Sequence, residues 1–136
     1  MTTYTVRIES LDTEVQCREN QNILDACLRN GVWLPHACGH GTCGTCKSDV
    51  LEGEVNHNDA SDFALMEYER NEGKTLVCVA TPESDIVIDA DVEVEEGVVM
   101  HPVRDYEGTL VELADVARNT RKLVIDLDSE FSFNAG

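Results

Sequence analysis

The stretch Cys38-Gly-His-Gly-Thr-Cys43-Gly-Thr-Cys46 puts three cysteines and three glycines into nine residues. With Pro35 just ahead of it, the stretch belongs to a loop, because glycine and proline both weaken the interiors of helices and strands. The chain on either side supplies the scaffold for that loop. Upstream, residues 22–31 read as a helix, with Ile23, Leu24, Cys27 and Leu28 on one buried face. Asn20 or Asn22 can cap its start, and Gly31 suits the position just past its end. Residues 4–9 and 14–18 alternate polar with apolar side chains around the turn-like Ser10–Thr13, the pattern of a β-hairpin. Downstream, Lys47–Val55 alternates again, Ser61–Asn71 reads as a capped helix with Phe63, Leu65 and Met66 available to pack, and residues 75–80 and 86–90 complete the strands. The order β-β-α-loop-β-α-β-β predicts an α+β domain over residues 1–92, one helix laid across a small mixed sheet.

The three cysteines are spaced C-x4-C-x2-C, and Cys78 follows Cys46 after 31 intervening residues, inside the run read as an apolar strand. That is the ligand spacing of a plant-type [2Fe–2S] cluster. Two iron(III) ions, two sulfides and four thiolates leave two net negative charges, and reduction adds a third. Side chains are too bulky to surround so small an anion. Gly39, Gly41 and Gly44 instead allow the backbone to turn its N–H groups inward as an anion-binding nest. Such hydrogen bonds help set the potential of a cluster. A structural zinc site also takes four cysteines and remains the alternative, although only one C-x2-C pair is present. A Rieske centre needs a histidine near the distal ligand, and none lies near Cys78. A redox dithiol at Cys43 and Cys46 leaves Cys38 without a role.

The other candidates take structural readings. Cys27 lies on the apolar helix face and Cys17 ends a strand, so both are expected to pack as small hydrophobes. His36 and His40 flank Cys38 but read as exposed loop residues, and His57 and His101 as surface residues. Trp33 is expected to pack under the loop.

Composition limits the partners. The chain has 136 residues and a formal charge of −17, from 27 acidic against 10 basic side chains. Leu, Ile, Val and Phe make up 35 residues, enough to fold despite that charge. So acidic a chain is repelled by nucleic acid and by anionic membranes. It favours a partner with a basic docking face. The N-terminus lacks a charged-then-apolar leader and no apolar run approaches a membrane span, so a cytoplasmic location with reduced thiols is expected. From Asp91 to Glu96 the chain reads as a fading strand or an acidic linker, and 107–113 and 122–127 as two further strands. Two strands do not make a stable domain alone.

Residues 1–92 resemble plant-type ferredoxins, which implies a β-grasp fold. Gly31-Val-Trp-Leu-Pro35, Ala37–Cys43, Glu52-Gly-Glu-Val55, Phe63-Ala-Leu-Met66 and His101-Pro-Val103 resemble the phenol hydroxylase reductase components of bacterial multicomponent monooxygenases, across essentially the whole chain. The resemblance implies cluster ligands at Cys38, Cys43, Cys46 and Cys78. It also implies electron relay from a reduced flavin to an oxygenase or hydroxylase component, in aromatic hydrocarbon catabolism. On this reading 1–92 is the ferredoxin domain, 93–102 an acidic linker, and 103–136 the first strands of an incomplete flavin-binding β-barrel. His36 departs from the pattern, standing where an aromatic residue is expected. FAD and NADH sites belong to a longer parent chain, since no G-x-G-x-x-G turn leading from a strand into a helix, and no flavin motif, occurs here.

Overall fold

In the computed structural model, which describes residues 1–134, alternation and capping produce the expected framework. Strand β1 (Thr3–Ile8) pairs antiparallel with β2 (Thr13–Arg18), placing Val6 opposite Val15 and Tyr4 opposite Cys17. A 3₁₀ turn, Glu9–Leu11, closes the hairpin, with Asp12 in the left-handed region. Helix α1 (Ile23–Arg29) begins where Asn22 Oδ1 accepts the Asp25 N–H at 2.8 Å. It buries Ile23, Leu24, Ala26 and Cys27. Then come β3 (Lys47–Glu52), a two-residue β4 (Val55–Asn56), α2 (Glu67–Asn71), β5 (Lys74–Leu76), a two-residue β6 (Thr81–Pro82) and β7 (Ile86–Asp89).

The main sheet has the order β2-β1-β7-β3-β5, with β1 and β7 parallel and the other neighbours antiparallel. Val6, Ile8, Ile86 and Ile88 of the central strands meet Ile23, Leu24 and Cys27 of the helix in one apolar core, with Leu34, Leu65, Leu76 and Val77. This is the β-grasp arrangement, α+β as expected. The cysteine loop, residues 35–46, runs from the end of α1 to the start of β3 and carries no regular element.

Two elements differ from their sequence readings. The helix expected over Ser61–Asn71 exists only as Glu67–Asn71. Residues 61–65 form a separate turn, in which Ala64 and Leu65 N–H both donate to the Ser61 carbonyl, and Met66 is extended. Leu65 is buried as expected, but Phe63 is 91% exposed and Met66 also faces solvent. The strand expected over 75–80 stops at Leu76. Residues 77–79 turn, with Val79 and Ala80 N–H donating to the Leu76 carbonyl. That turn points its carbonyls at α1: Ala80 O accepts the Ile23 N–H at 3.0 Å and Val77 O the Leu24 N–H at 2.9 Å. The first turn of a helix leaves these donors free, so satisfying them outweighs the strand propensity of Val77 and Val79.

The first compact unit runs Met1–Val103, so residues 93–102 lie within it. Val103 N–H donates to the Leu28 carbonyl at 2.9 Å. The second unit opens at Arg104 and contains the hairpin of β8 (Gly108–Ala117) and β9 (Thr120–Leu127). Asn119, in the left-handed region, makes its turn. Leu110, Leu113, Leu123 and Ile125 of the hairpin are all about half exposed. The described strands form part of a barrel and close none.

Candidate metal centre

The four cysteines of the expected ligand set come from two places. Cys38, Cys43 and Cys46 lie on the loop between α1 and β3, and Cys78 on the turn after β5. Cys46 and Cys78 are buried, Cys38 is half-buried and Cys43 is exposed. The thiols are arranged as two pairs. Cys38 and Cys43 are close enough for each to influence the other's titration, and Cys46 likewise acts on Cys78. Among the described residues, no three Cys, His, Asp or Glu side chains gather tightly enough to hold one metal ion. The arrangement is instead an outer pair of thiols, Cys38 and Cys43, and an inner pair, Cys46 and Cys78.

Backbone donors surround the outer pair. Cys38 Sγ accepts N–H groups from His40 at 3.5 Å and Thr42 at 3.4 Å, and Cys43 Sγ that of Thr45 at 3.4 Å. Each of these donors follows a glycine held in the left-handed region, with φ of +74° at Gly39, +82° at Gly41 and +75° at Gly44. The glycines thus turn the chain so that the next N–H faces sulfur, and Gly41's own N–H reaches Cys78. Gly41 also leaves no room for a side chain: a Cβ there would lie 3.1 Å from the Asp59 carbonyl and 3.2 Å from Ala60 Cα.

These donors act on the thiols directly. The His40 N–H, then the Thr42 hydroxyl and N–H and the Cys43 N–H, bring the Cys38 thiol down to about 5. The Thr45 hydroxyl, 3.3 Å from Cys43 Sγ, leads the groups that lower Cys43. Burial, and then the neighbouring Cys46, push Cys78 up to about 12. A cation binding Cys78 must therefore displace its proton, as metal binding to thiols does. Soft thiolate donors in a nest of N–H groups fit an anionic iron–sulfur cluster.

The remaining cysteines stand apart. Cys17 is fully buried, its Sγ donating to the Gln21 carbonyl at 3.2 Å, and burial raises it to about 11. Cys27 sits in the core, raised by burial to about 12. His40 lies on the loop surface, with Nδ1 2.9 Å from the Cys38 carbonyl and Nε2 3.1 Å from the Thr42 hydroxyl. His36 is half-buried, Nδ1 2.6 Å from the Leu34 carbonyl. Trp33 does not pack under the loop. Its ring lies 5.9 Å from that of His36, and it lines an open groove with Leu11, Val92 and Met100. His57 was expected at the surface without a partner. It is half-buried with Nδ1 2.9 Å from the Thr75 hydroxyl, and its pKa is lowered by burial and by Arg70. Thr42 and Thr45 were not foreseen as contributors, although each stands beside a cysteine in a glycine-rich loop. Asn58 and Arg70, which hold the neighbouring segment, left no local mark in the sequence.

A mixed five-stranded β-grasp with a cysteine loop beside its helix, carrying paired thiols under backbone N–H groups, defines a [2Fe–2S] protein of the plant ferredoxin class. The chain belongs to the 2Fe-2S iron-sulfur cluster binding domain family, which it matches over residues 6–83. Its relatives include the reductase component DmpP of phenol 2-monooxygenase from Pseudomonas sp. (strain CF600), 50% identical over 98% of this chain and 38% of that protein. The phenol hydroxylase P5 protein of Acinetobacter pittii (strain PHEA-2) is 47% identical over the same shares. Among solved structures, the Amycolatopsis cytochrome P450 reductase GcoB superposes with a TM-score of 0.85 at 41% identity, over 98% of this chain and 39% of that one. The chain therefore spans less than two-fifths of the length of each of these three relatives. No described helix is long and apolar enough to cross a membrane.

Proposed function

We propose that this chain is a one-electron relay in a monooxygenase reductase, with a [2Fe–2S] cluster held by Cys38, Cys43, Cys46 and Cys78. The observation that carries this reading is the two thiol pairs, the outer one wrapped by N–H groups that follow Gly39, Gly41 and Gly44. The cluster, when bound, supplies a site that takes up and releases one electron, at about −400 mV in plant-type ferredoxins. The protein's residues do the rest. N–H groups of His40, Thr42 and Thr45 offset the negative charge at the outer sulfurs. Cys46 and Cys78 anchor the inner side within the core, away from water.

The exposed side at Cys43 is where a partner can approach. Phe63 is 91% exposed, and Asp59, Asp62 and Glu67 around it face solvent. An apolar anchor within carboxylates suits an oxygenase component with a basic docking face. Electrons would come from a reduced flavin fed by NADH, in FAD- and NADH-binding domains of a longer parent chain. In that parent, residues 1–92 serve as the ferredoxin domain, 93–102 as an acidic linker, and 103–136 open the flavin-binding barrel. The hairpin's exposed leucines and isoleucine support the barrel, since an unclosed sheet leaves such side chains in water. The setting is the cytoplasm, where thiols stay reduced, and the downstream substrates are phenol-type aromatics.

Anaerobic reconstitution tests the relay. The expected product is red-brown, with two irons and two acid-labile sulfides per chain, and EPR-active after one-electron reduction. Colourless protein without iron would end this reading, and one zinc without iron would establish a staple instead.

A further inference from the structure

Three segments meet beside the cysteine loop. Asn58 is held in the left-handed region, φ +47°, and its Nδ2 donates to the Val79 carbonyl at 2.8 Å and lies 3.1 Å from the Thr81 hydroxyl. Val79 directly follows Cys78. Three residues after Asn58, the Ser61 N–H donates to the Gly41 carbonyl at 2.9 Å, in the middle of the cysteine loop. The Asp59 carbonyl and Ala60 Cα fill the space a Gly41 side chain would take. Residues 58–61 therefore hold the Cys78 turn with one end and the Cys38–Cys46 loop with the other.

This segment is itself fastened. Arg70, on α2, donates from Nε to the Leu65 carbonyl at 3.1 Å and from Nη2 to the Ala60 carbonyl at 3.1 Å and Asp62 at 3.2 Å. A guanidinium presents five donors in a rigid plane, so it fixes several acceptors in set directions, which a freely rotating ammonium does not. All three acceptors lie on one irregular stretch, which has no ladder to order it.

We propose that residues 58–65 form a clasp that sets the spacing between the cysteine loop and Cys78, with Asn58 and Arg70 as its positioning residues. Neither side chain touches a thiol. Both act through backbone: Asn58 through Val79, and Arg70 through Ala60 and the Ser61–Gly41 bond. The clasp resists separation of the outer and inner thiol pairs, and so slows release of whatever bridges them. Its role in cluster retention rests on the ligand set proposed above, whereas its grip on the loop does not.

The test uses Asn58→Gly, which keeps the left-handed backbone but removes the amide, together with Arg70→Met and Arg70→Lys. Amide hydrogen exchange is followed at Ser61 and at the β1 strand, in loaded and in iron-free protein. In Asn58→Gly and Arg70→Met, Ser61 exchange is expected to accelerate about tenfold, the loss of one to two ordinary hydrogen bonds, while β1 stays unchanged. Arg70→Lys restores part of the protection. In loaded protein, bleaching of the visible absorption by an excess iron chelator accelerates by a similar factor, and the visible circular dichroism of the cluster shifts. Unchanged Ser61 exchange overturns the clasp. Equal acceleration at Ser61 and β1 overturns it too, since it marks a general loss of stability. A parent protein that takes up no iron refutes the ligand set, and the exchange at Ser61 still decides the clasp.

Discussion

The Ser61 N–H reaches the Gly41 carbonyl at 2.9 Å, and this short approach depends on residue 41 having no side chain. A Cβ there would press on the Asp59 carbonyl, Ala60 Cα and Val79 Cγ2 at 3.1–3.3 Å, on a backbone with φ +82°. Gly41→Ala therefore forces a strained conformation, costing about 1–3 kcal/mol, or pushes the loop off residues 59–61. The first outcome weakens the loop, and the second turns the Thr42 N–H away from Cys38. Iron and sulfide analysis after reconstitution should show well under half loading. A fully loaded variant with parental melting would show that the fit at Gly41 is not needed.

Cysteines in this chain divide by geometry. Cys78→Ala removes half of the inner pair and should abolish cluster assembly. Cys27→Ala deletes a buried sulfur among apolar neighbours, so the cost is one of packing, about 1–2 kcal/mol, and a full visible spectrum should remain. Absorption and EPR of both variants decide the matter. A red-brown Cys78→Ala protein would mean that the fourth ligand lies elsewhere.

Glu69 gives a pH dependence whose direction follows from its partners. Lys47 Nζ donates to its carboxylate at 2.7 Å and the Met66 N–H at 2.9 Å, and both hold it below the usual carboxylate value. A depressed folded pKa means stabilisation that is present above the unfolded value, about 4.3. It is lost as pH falls through the lower folded value. Urea unfolding of the parent and Glu69→Gln should therefore differ most near neutral pH and converge as the solution is acidified below pH 4. A gap that widens on acidification would contradict the assignment.

Cysteine spacing and strand alternation are local facts, so the loop, the four thiols and the paired strands β1, β2, β3 and β7 were legible in the sequence. What stayed hidden depends on long-range partners. Val77–Ala80 is wholly apolar and half β-branched, but its Val77 and Ala80 carbonyls are taken by α1, and no local pattern announces that. Ser61–Leu65 has helical composition. The clasp and the Arg70 guanidinium hold it as a turn instead, which leaves Phe63 outside. The division of the thiols into two pairs arises only when the turn bearing Cys78 meets Cys46. Spacing suggests the four candidate thiols, whereas the fold decides which of them stand together.

Phe63 supplies the last prediction. A phenyl ring 91% exposed, on the segment that meets the cysteine loop, gains nothing for folding, since it buries almost no surface in the chain. Its value lies in being covered by a partner. Central aromatic residues in an interface commonly contribute 2 kcal/mol or more, so Phe63→Ser should slow electron transfer to a basic haem protein by roughly tenfold or more. Transfer to ferricyanide, a small anion that needs no apolar contact, should be unaffected, and iron content should match the parent. The carboxylates of Asp59, Asp62 and Glu67 act at longer range. Added salt should therefore lower the rate with the basic acceptor in parent and variant alike, since screening weakens steering but not apolar contact. Stopped-flow mixing of reduced protein with each acceptor, across ionic strength, separates the two contributions. An equal slowing with both acceptors would place the defect in the cluster site instead of the docking surface.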